Sequence, residues 1–420
     1  MGGISISGAK NAALPELAAT ILSSGSLHFE NVPEVEDIKV MVRALKRIGA
    51  RGELDSNVVD IAIPRVVSDL VPREIVETSR ASILILGPLL ARNGFAKVSM
   101  PGGCRIGDRN IDFHLDGLKR MGAEIEVLDN QIVARTKGLE GIDYTFPSKT
   151  VTGTENLLMA ATLARGTTIL RNCAAEPEVY DLVSLLRKMG ADIQRENHDC
   201  LIVGGKTSLA GSRHRIIPDR IELGTYIIAG CMLDNELTIE NAVSEHIRSL
   251  IDILVEIGIQ VDIAGNKLKV SANGKISAID VETTPYPGFP TDLQAQLTTL
   301  LTQAEGISRI KENIFNNRFQ HVRELNRLGA QIEVKDNVAI IRGPTDLTGG
   351  RISATDLRAS AALVLGGLIA EGRTEIKNSH QLFRGYENMP EKLQQVGAEL
   401  EVIRIGHHQH QFGPELRRKP

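Results

Sequence analysis

The amino-acid sequence predicts an α/β protein of two domains, each built from three copies of one repeated unit. Its 420 residues exceed what a single hydrophobic core normally serves. A motif typical of a helix end recurs six times at intervals of about 70 residues. Short hairpin patterns follow these helix ends. Together the observations predict three repeats per domain.

Each copy of the repeated motif has glycine as its fifth residue, and five of the six copies have alanine as the sixth. The copies occupy residues 45–50, 118–123, 186–191, 254–259, 325–330 and 393–398. Glycine suits the C′ position just beyond a helix, where the backbone turns left-handed. The polar and basic residues before it are typical of a last helical turn. We therefore expect a surface helix to end at every copy.

An apolar helix and a strand precede each of these helix ends, as in residues 11–23 and 26–30, or 356–370 and 373–377. Apolar residues cover nearly every face of these helices, which predicts that they are buried. Hairpins follow, with Asp or Asn at the turn, as in 124–134 and 331–341. The unit is therefore helix, strand, helix, hairpin, although the sixth copy shows only the strand 399–403.

These repeats suggest where the domains divide. We predict one domain over residues 10–218, with repeats one to three, and a second over 1–9 and 219–405, with repeats four to six. A strand expected before the first helix is mostly missing. Residues 406–420 are expected to be a disordered polar tail, which is a better interpretation of its closely spaced histidines than a metal site.

Composition argues against several classes of protein. The net charge is −4 and no run of more than three Lys/Arg residues occurs, so we expect no nucleic-acid partner. The four cysteines lie far apart, which predicts a reducing cytoplasm without disulfides. The largely apolar runs, such as residues 81–91, are too short to span a bilayer. No cofactor or metal motif is found, so we expect neither.

Residues 101–109, with the sequence PGGCRIGDR, predict a reactive loop. Its glycines allow the backbone to fold tightly over an anionic ligand. Arg105 and Arg109 lie close to Cys104 in sequence and favour its thiolate form. The alternative is an inert, buried cysteine in an ordinary turn.

Several motifs are similar to those of one enzyme family. They are SGAKNAALP (7–15), RAS (80–82), PGGCRIGDR (101–109), PDRIE (218–222), FPTD (289–292), NRF (317–319), ATDLRAS (354–360) and RGYE (384–387). With these motifs, residues 4 to about 403 resemble the enolpyruvyl transferases, in particular the UDP-N-acetylglucosamine 1-carboxyvinyltransferases. The resemblance implies two inside-out α/β barrel domains, each with three units around buried helices.

The resemblance also implies a reaction. The enolpyruvyl group of phosphoenolpyruvate moves to the 3-hydroxyl of UDP-N-acetylglucosamine and phosphate is released, in the first committed step of peptidoglycan precursor synthesis. Both small-molecule substrates are polyanions, which suits Lys10, Arg80, Arg220 and Arg358 at helix starts. The alternative for each cation is an ordinary solvated charge. Cys104 is then the general acid, able to form a covalent adduct.

Individual residues take roles through the same resemblance. Those expected to bind phosphoenolpyruvate are Lys10, Asn11, Arg109, Arg318, Arg358 and Arg384, of which Lys10 and Arg384 are also expected to be catalytic. Those expected to line the UDP-sugar site are Arg80, Arg109, Asn110, Ile111, Asp112, Phe113, Lys149, Thr150, Val151, Thr152, Asp292 and Ile314. The segment 149–153 departs from the family's usual form.

Two carboxylates compete for the role of base. Asp292 is expected to contact the attacking hydroxyl, but its position before a predicted helix also suits an N-cap. Asp356 is the rival. His114 and His321, each beside a motif, are expected to pack or hydrogen-bond rather than catalyse.

Three other functions remain open at this point. The chain could be an enolpyruvyl transferase for shikimate 3-phosphate, a transferase for a free nucleotide, or an inactive paralogue that binds UDP-sugars. The cysteine loop argues against the first. Retention of Lys10, Cys104, Asp292 and Arg384 argues against the last.

Overall fold

The computed structural model describes residues 2–68, 70–71, 80–100, 111–232, 236–271, 274–403 and 415–418, and the structural statements below concern these residues. For residues 70, 71, 80, 81 and 415–418 it describes the backbone only. The described chain divides into two compact units. The first unit lies between Gly8 and Ile217, and the second contains the residues up to Ser7 and those from Pro218 onward.

The helices fall into two kinds that alternate along the chain. In the first unit they are α1 (Lys10–Ala19), α2 (Glu36–Ile48), α3 (Leu86–Asn93), α4 (Asp112–Arg120), α5 (Val151–Ala161) and α6 (Pro177–Lys188). In the second they are α7 (Arg220–Met232), α8 (Arg248–Glu256), α9 (Gln294–Leu301), α10 (Gln320–Arg327), α11 (Leu357–Ile369) and α12 (Met389–Gln395). Short 3₁₀ turns occupy Thr20–Leu22, Arg80–Ile85, Ser244–Ile247, Thr291–Leu293 and Ser379–Arg384.

The odd-numbered helices form the centre of each unit. Helices α1, α5, α7, α9 and α11 are buried on almost every face, and α3 is buried over Leu86–Leu90. The even-numbered helices bury one face and expose the other, as their mixed composition predicts. The predicted burial of the apolar helices is confirmed. None of the helices in the described ranges has the length and apolar character needed to cross a bilayer.

The strands form six four-stranded sheets of one design. A short strand pairs in parallel with the strand that follows a buried helix, and that strand pairs antiparallel with a hairpin. In the first unit, one sheet consists of β2 (Ser26–Glu30), β3 (Arg51–Asp55), β4 (Val58–Ala62) and β13 (Ser212–Arg215). The next consists of β5 (Leu70–Val71), β6 (Phe95–Ser99), β7 (Glu124–Leu128) and β8 (Gln131–Arg135). The third consists of β9 (Asp143–Thr145), β10 (Thr167–Arg171), β11 (Asp192–Asn197) and β12 (Cys200–Gly204).

The second unit repeats this design. Its strands are β1 (Gly3–Ser5), β14 (Leu237–Glu240), β15 (Gln260–Ala264) and β16 (Lys267–Ser271); β17 (Asp280–Glu282), β18 (Gly306–Lys311), β19 (Gln331–Lys335) and β20 (Val338–Gly343); and β21 (Arg351–Ser353), β22 (Glu375–Lys377), β23 (Leu400–Ile403) and β24 (Glu415–Arg418). Each unit thus places three sheets around three buried helices, so the predicted inside-out α/β barrels of three repeats each are confirmed.

The recurring glycine ends an outer helix in every repeat. All six glycines, from Gly49 to Gly397, have φ between 92° and 123°. In the first repeat the amide of Gly49 donates to the carbonyl of Leu45 at 3.1 Å and that of Ala50 donates to the same carbonyl at 2.9 Å. A side chain with a Cβ atom is strained at these angles, which explains why glycine recurs. The predicted helix ends are confirmed.

Two expectations about the chain ends are corrected. Gly3–Ser5 form the strand β1, which pairs in parallel with β14, so a short leading strand is present. Glu415–Arg418 were expected to belong to a disordered tail, but they form β24, which pairs with both β22 and β23. The sixth hairpin therefore has its second strand. Pairing supplies hydrogen bonds that these strands would otherwise lack.

A buried cluster in the first unit joins α1, α6 and β13. His214 Nε2 lies 2.9 Å from Asp181 Oδ1 and 3.4 Å from Glu16 Oε1, and all three side chains are almost fully buried. Burial raises the pKa of Glu16 to about 8. Burial lowers the pKa of His214, but hydrogen bonds to Asp181 and Glu16 outweigh it and raise the pKa to about 9. Lys188 Nζ lies 3.0 Å from His214 Nδ1, where only one of the two nitrogens can donate to the other, and the positive charge of this pair opposes a metal ion among the three side chains.

The cluster predicts how the stability of the first unit depends on pH. Because the pKa of Glu16 and that of His214 are both higher in the folded chain than in the unfolded one, folding takes up protons. The stabilisation is complete below the unfolded pKa values and is lost as pH rises through the folded ones. The free energy of unfolding should therefore fall as pH rises from about pH 5 to about pH 9.

Denaturant unfolding followed across this pH range measures the effect. Glu16→Gln removes one of the buried ionisable groups. As pH rises, the free energy of unfolding of this variant should therefore fall less than that of the unmodified protein. Glu124→Gln, at an exposed position of β7, is the matched control and should follow the unmodified protein. Equal slopes for all three proteins would contradict the prediction.

Candidate active site

Lys10 is the first residue of the buried helix α1 and is only 8% exposed. Its ammonium group lies 3.3 Å from the Asp37 carboxylate, in the first turn of α2. The ion pair holds the long lysine side chain beside the positive end of the α1 helix dipole. Asp37 was not anticipated from the sequence, although an acidic residue on the buried face of an amphipathic helix is a signal for such a partner.

Cys104, Arg109 and Asn110 of the predicted reactive loop lie outside the described residues. Arg80 begins a 3₁₀ turn that leads into α3, but its side chain is not among those described. Ile111 is the N-cap residue of α4, and Asp112 and Phe113 lie in its first turn. The roles predicted for all of these residues stay predictions.

The segment Lys149 to Thr152 leads into the buried helix α5. The Lys149 ammonium donates to the Cys173 carbonyl at 3.0 Å and to the Asp199 carboxylate at 3.1 Å. Thr150 is the N-cap, and its hydroxyl accepts a hydrogen bond from the Gly153 amide at 3.3 Å. A helix N-terminus of this kind suits a phosphate group.

His114 and Asn156 hold this helix start in place. Asn156 is fully buried, and its amide group bonds to His114 Nδ1 at 2.8 Å and to the Ile83 carbonyl at 2.9 Å. Since Asn156 donates to Nδ1, the proton of His114 is on Nε2, which lies 3.2 Å from the Thr152 hydroxyl. His114 is thus buried and hydrogen-bonded, as expected. Asn156 was not predicted from the sequence, although a polar residue inside an apolar helix is a signal for buried hydrogen bonds of this kind.

In the second unit, Asp292 is held by two arginines. Arg318 Nη2 donates to Asp292 Oδ1 at 2.8 Å, and Arg358 Nη2 donates to Oδ2 at 3.0 Å. The two guanidinium side chains are 3% and 5% exposed, whereas the carboxylate is 26% exposed. Each carboxylate oxygen therefore has a charged donor, and one edge of the group remains open to solvent. This pairing could not be read from residues so far apart in sequence.

The two carboxylates considered for the base differ in their surroundings. Asp356 is 4% exposed, and its Oδ1 accepts hydrogen bonds from the Arg358 and Ala359 amides at 2.9 and 3.0 Å, so it is the N-cap of α11. Asp292 lies in the 3₁₀ turn before α9, and the N-cap residue of α9 is Leu293. The capping alternative for Asp292 is therefore wrong, and Asp356 has that structural role.

Three further predicted residues lie near element ends. Arg384 closes the 3₁₀ turn Ser379–Arg384 and donates to the Gln381 side chain at 3.1 Å. Arg220 begins α7 and lies over the Tyr286 ring at 5.7 Å. The Ile314 amide donates to the Glu312 carboxylate at 2.8 Å, which fixes the backbone there.

The charges of this region favour an anionic ligand. Arg358 Nη1 is buried without a hydrogen-bond partner among the described residues. Burial lowers the pKa of Arg358, but Asp292 outweighs it and raises that pKa, so the guanidinium stays charged. Burial, with a contribution from Arg318, lowers the pKa of His321 to about 4. His321 is therefore neutral near pH 7, and the arginines supply the positive charge.

The fold and these cation-bearing helix starts place the protein in a known class. Residues 1–393 match the family model described as EPSP synthase (3-phosphoshikimate 1-carboxyvinyltransferase), and the chain belongs to this family of enolpyruvyl transferases. The solved enolpyruvyl transferase NikO from Streptomyces tendae has the same fold, with a TM-score of 0.87 and 26% identity over 95% of each chain.

Relatives within that class have names that state a more specific activity. A UDP-N-acetylglucosamine 1-carboxyvinyltransferase from Anaeromyxobacter dehalogenans (strain 2CP-C) is 47% identical over 408 residues, which cover 96% of this chain and 97% of the relative. UDP-N-acetylglucosamine 1-carboxyvinyltransferase 1 from Caldanaerobacter subterraneus subsp. tengcongensis is 46% identical, over 95% of this chain and 96% of the relative. The resemblance predicted from the motifs is confirmed.

Proposed function

We propose that this protein transfers the enolpyruvyl group of phosphoenolpyruvate to the 3-hydroxyl of UDP-N-acetylglucosamine and releases inorganic phosphate. The observation that carries the proposal is the identity of 46–47% over 95–96% of the chain with enzymes named for that activity. Buried cations at helix starts support it, because both substrates are polyanions. The reaction belongs to cell wall synthesis in the cytoplasm, on which cell shape and division depend.

The proposed binding roles follow the sequence predictions. Phosphoenolpyruvate is held by Lys10, Asn11, Arg109, Arg318, Arg358 and Arg384. The UDP-sugar is held by Arg80, residues 109–113, residues 149–152, Asp292 and Ile314. The buried Nη1 of Arg358 supports its assignment, since an anionic oxygen would supply the missing hydrogen-bond acceptor.

Two residues carry the proton transfers in this proposal. The oxygen of the sugar 3-hydroxyl bonds to C2 of phosphoenolpyruvate, and Asp292 accepts the proton that this hydroxyl loses. Cys104 donates a proton to the methylene carbon. The C2–O bond to phosphate then breaks, and the Cys104 thiolate takes one proton back from the new methyl group, which restores both the double bond and the thiol. The proton on Asp292 leaves with the phosphate. Arg318 and Arg358 orient the Asp292 carboxylate, which supports its placement as the base.

Phosphate release with each acceptor in turn tests the proposal. With phosphoenolpyruvate present, UDP-N-acetylglucosamine should give rapid release, whereas shikimate 3-phosphate should give a kcat/KM lower by at least about 10³-fold. Uridine diphosphate lacks the N-acetylglucosamine 3-hydroxyl but keeps the ribose hydroxyls, so it should give none, and release with it would favour a free-nucleotide acceptor instead. Faster release with shikimate 3-phosphate would overturn the proposal, and release with neither acceptor would favour an inactive paralogue.

A further inference from the structure

A pocket of about 330 Å³ opens in the first unit at the ends of its buried helices. Its apolar wall includes Leu22, which ends the 3₁₀ turn after α1, Leu163, which follows α5, and Leu209, which precedes β13. Lys10 lies at the opposite end of α1. Since a helix rises 1.5 Å per residue, the pocket is about 18 Å from the proposed phosphoenolpyruvate site.

Three cations and no carboxylate line this pocket. Arg92 donates to the carbonyl oxygens of Ile21, Ser23 and Ile63 at 2.8 to 2.9 Å. It therefore offsets the negative ends of the helix dipoles that converge here. Carbonyl oxygens carry no formal charge, so these hydrogen bonds do not neutralise the guanidinium of Arg92 as a carboxylate would.

The other two cations lie on the rim. Arg165 is paired with Glu140, which is exposed and is not part of the lining. Lys206 is exposed and has no ion-pair partner among the described residues. On this rim a ligand in the pocket therefore meets one uncompensated positive charge, that of Lys206.

The polar part of the lining also lacks partners. The hydroxyls of Ser24, Thr207 and Ser208 line the pocket and make no hydrogen bond within the described part of the chain. Hydroxyls and ammonium groups beside an apolar wall match a ligand with an oxyanion at one end and an apolar body at the other.

We propose that this pocket is a second binding site, for a small organic phosphate with an apolar body. The phosphate lies against Lys206, Arg165 and the hydroxyls of Thr207 and Ser208, and the apolar body lies on Leu22, Leu163 and Leu209. The inference does not depend on the proposed reaction, because the pocket residues are separate from those assigned to it.

Methyl NMR of leucine-labelled protein tests the inference with phenyl phosphate as the probe. The methyl signals of Leu22, Leu163 and Leu209 should shift together and saturate with one dissociation constant. Benzyl alcohol, which has the ring without the phosphate, and inorganic phosphate, which has no ring, should each bind at least about tenfold more weakly.

A charge reversal separates this site from other anion sites. Lys206→Glu should weaken phenyl phosphate binding at these leucines by at least about tenfold. Lys39→Glu is the matched control, because Lys39 is exposed on α2 and likewise has no ion pair among the described residues; it should change binding less than twofold or so. Shifts confined to other methyl groups, no saturation, or equal binding to both variants would overturn the proposal. Turnover is not measured, so a failure here leaves the proposed reaction untouched.

Discussion

Asp292→Asn should lower kcat by about 10²- to 10⁴-fold, because the amide cannot accept the proton of the attacking hydroxyl. The substitution should also lower the free energy of unfolding by about 1 to 3 kcal/mol, since Arg318 and Arg358 are buried and would lose their shared counter-charge. Phosphate-release rates should be measured at temperatures well below the thermal unfolding midpoint. The loss of rate then reports chemistry rather than unfolding.

Asp356→Asn is the matched control for this substitution. Asparagine is a good N-cap, so its amide oxygen can still accept from the first amides of α11, and the stability should change by only a few tenths of a kcal/mol or so. Turnover should stay near that of the unmodified protein. The opposite pattern, in which Asp356→Asn is slow and Asp292→Asn is fast, would transfer the role of base to Asp356.

Fosfomycin, a small anionic epoxide, should alkylate Cys104 and no other cysteine. Burial raises the pKa of Cys173 to about 12 and also raises the pKa values of Cys200 and Cys231. All three of these thiols are buried, so they are neither ionised nor accessible near neutral pH. The arginines near Cys104 in sequence favour its thiolate. Peptide mass mapping after brief exposure measures the selectivity.

Cys104→Asp provides the control for alkylation. Aspartate keeps an acid at this position but removes the sulfur, so the variant should resist fosfomycin while it retains some turnover. A label on Cys173, Cys200 or Cys231 in the unmodified protein, or an alkylated Cys104→Asp variant, would contradict the assignment of Cys104 as the reactive group.

Much of the fold could be predicted because each repeat carries its own local signals. Gly49 and its five equivalents mark helix ends through a backbone conformation that only glycine adopts easily. Central helices such as α11 are apolar on all faces, which indicates burial without knowledge of any partner. The strand Glu415–Arg418 was missed because a polar, histidine-rich segment separates it from its hairpin partner Leu400–Ile403, and its other partner, Glu375–Lys377, is distant in sequence.

The candidate site was less accessible to prediction. Motifs identified Asp292, Arg318 and Arg358 separately, but no local pattern indicated that the two arginines share one carboxylate. The FPTD motif also suited a helix cap, but α9 has no side-chain cap, whereas Asp356 caps α11 in another repeat. Side-chain partners across a buried core follow from the packing of whole helices, which a single sequence does not specify.

The first strand of the chain has a consequence for synthesis on the ribosome. Gly3 pairs with Thr238, so β1 has no sheet to join until the strand β14 has been translated. At about 5 to 20 residues per second, that wait is on the order of 10 to 50 s. Residues 8 to 217 form a complete unit and can fold during this interval, while the leading strand stays unpaired. A three-residue strand exposes little edge to other nascent chains, which limits the hazard of such a delay.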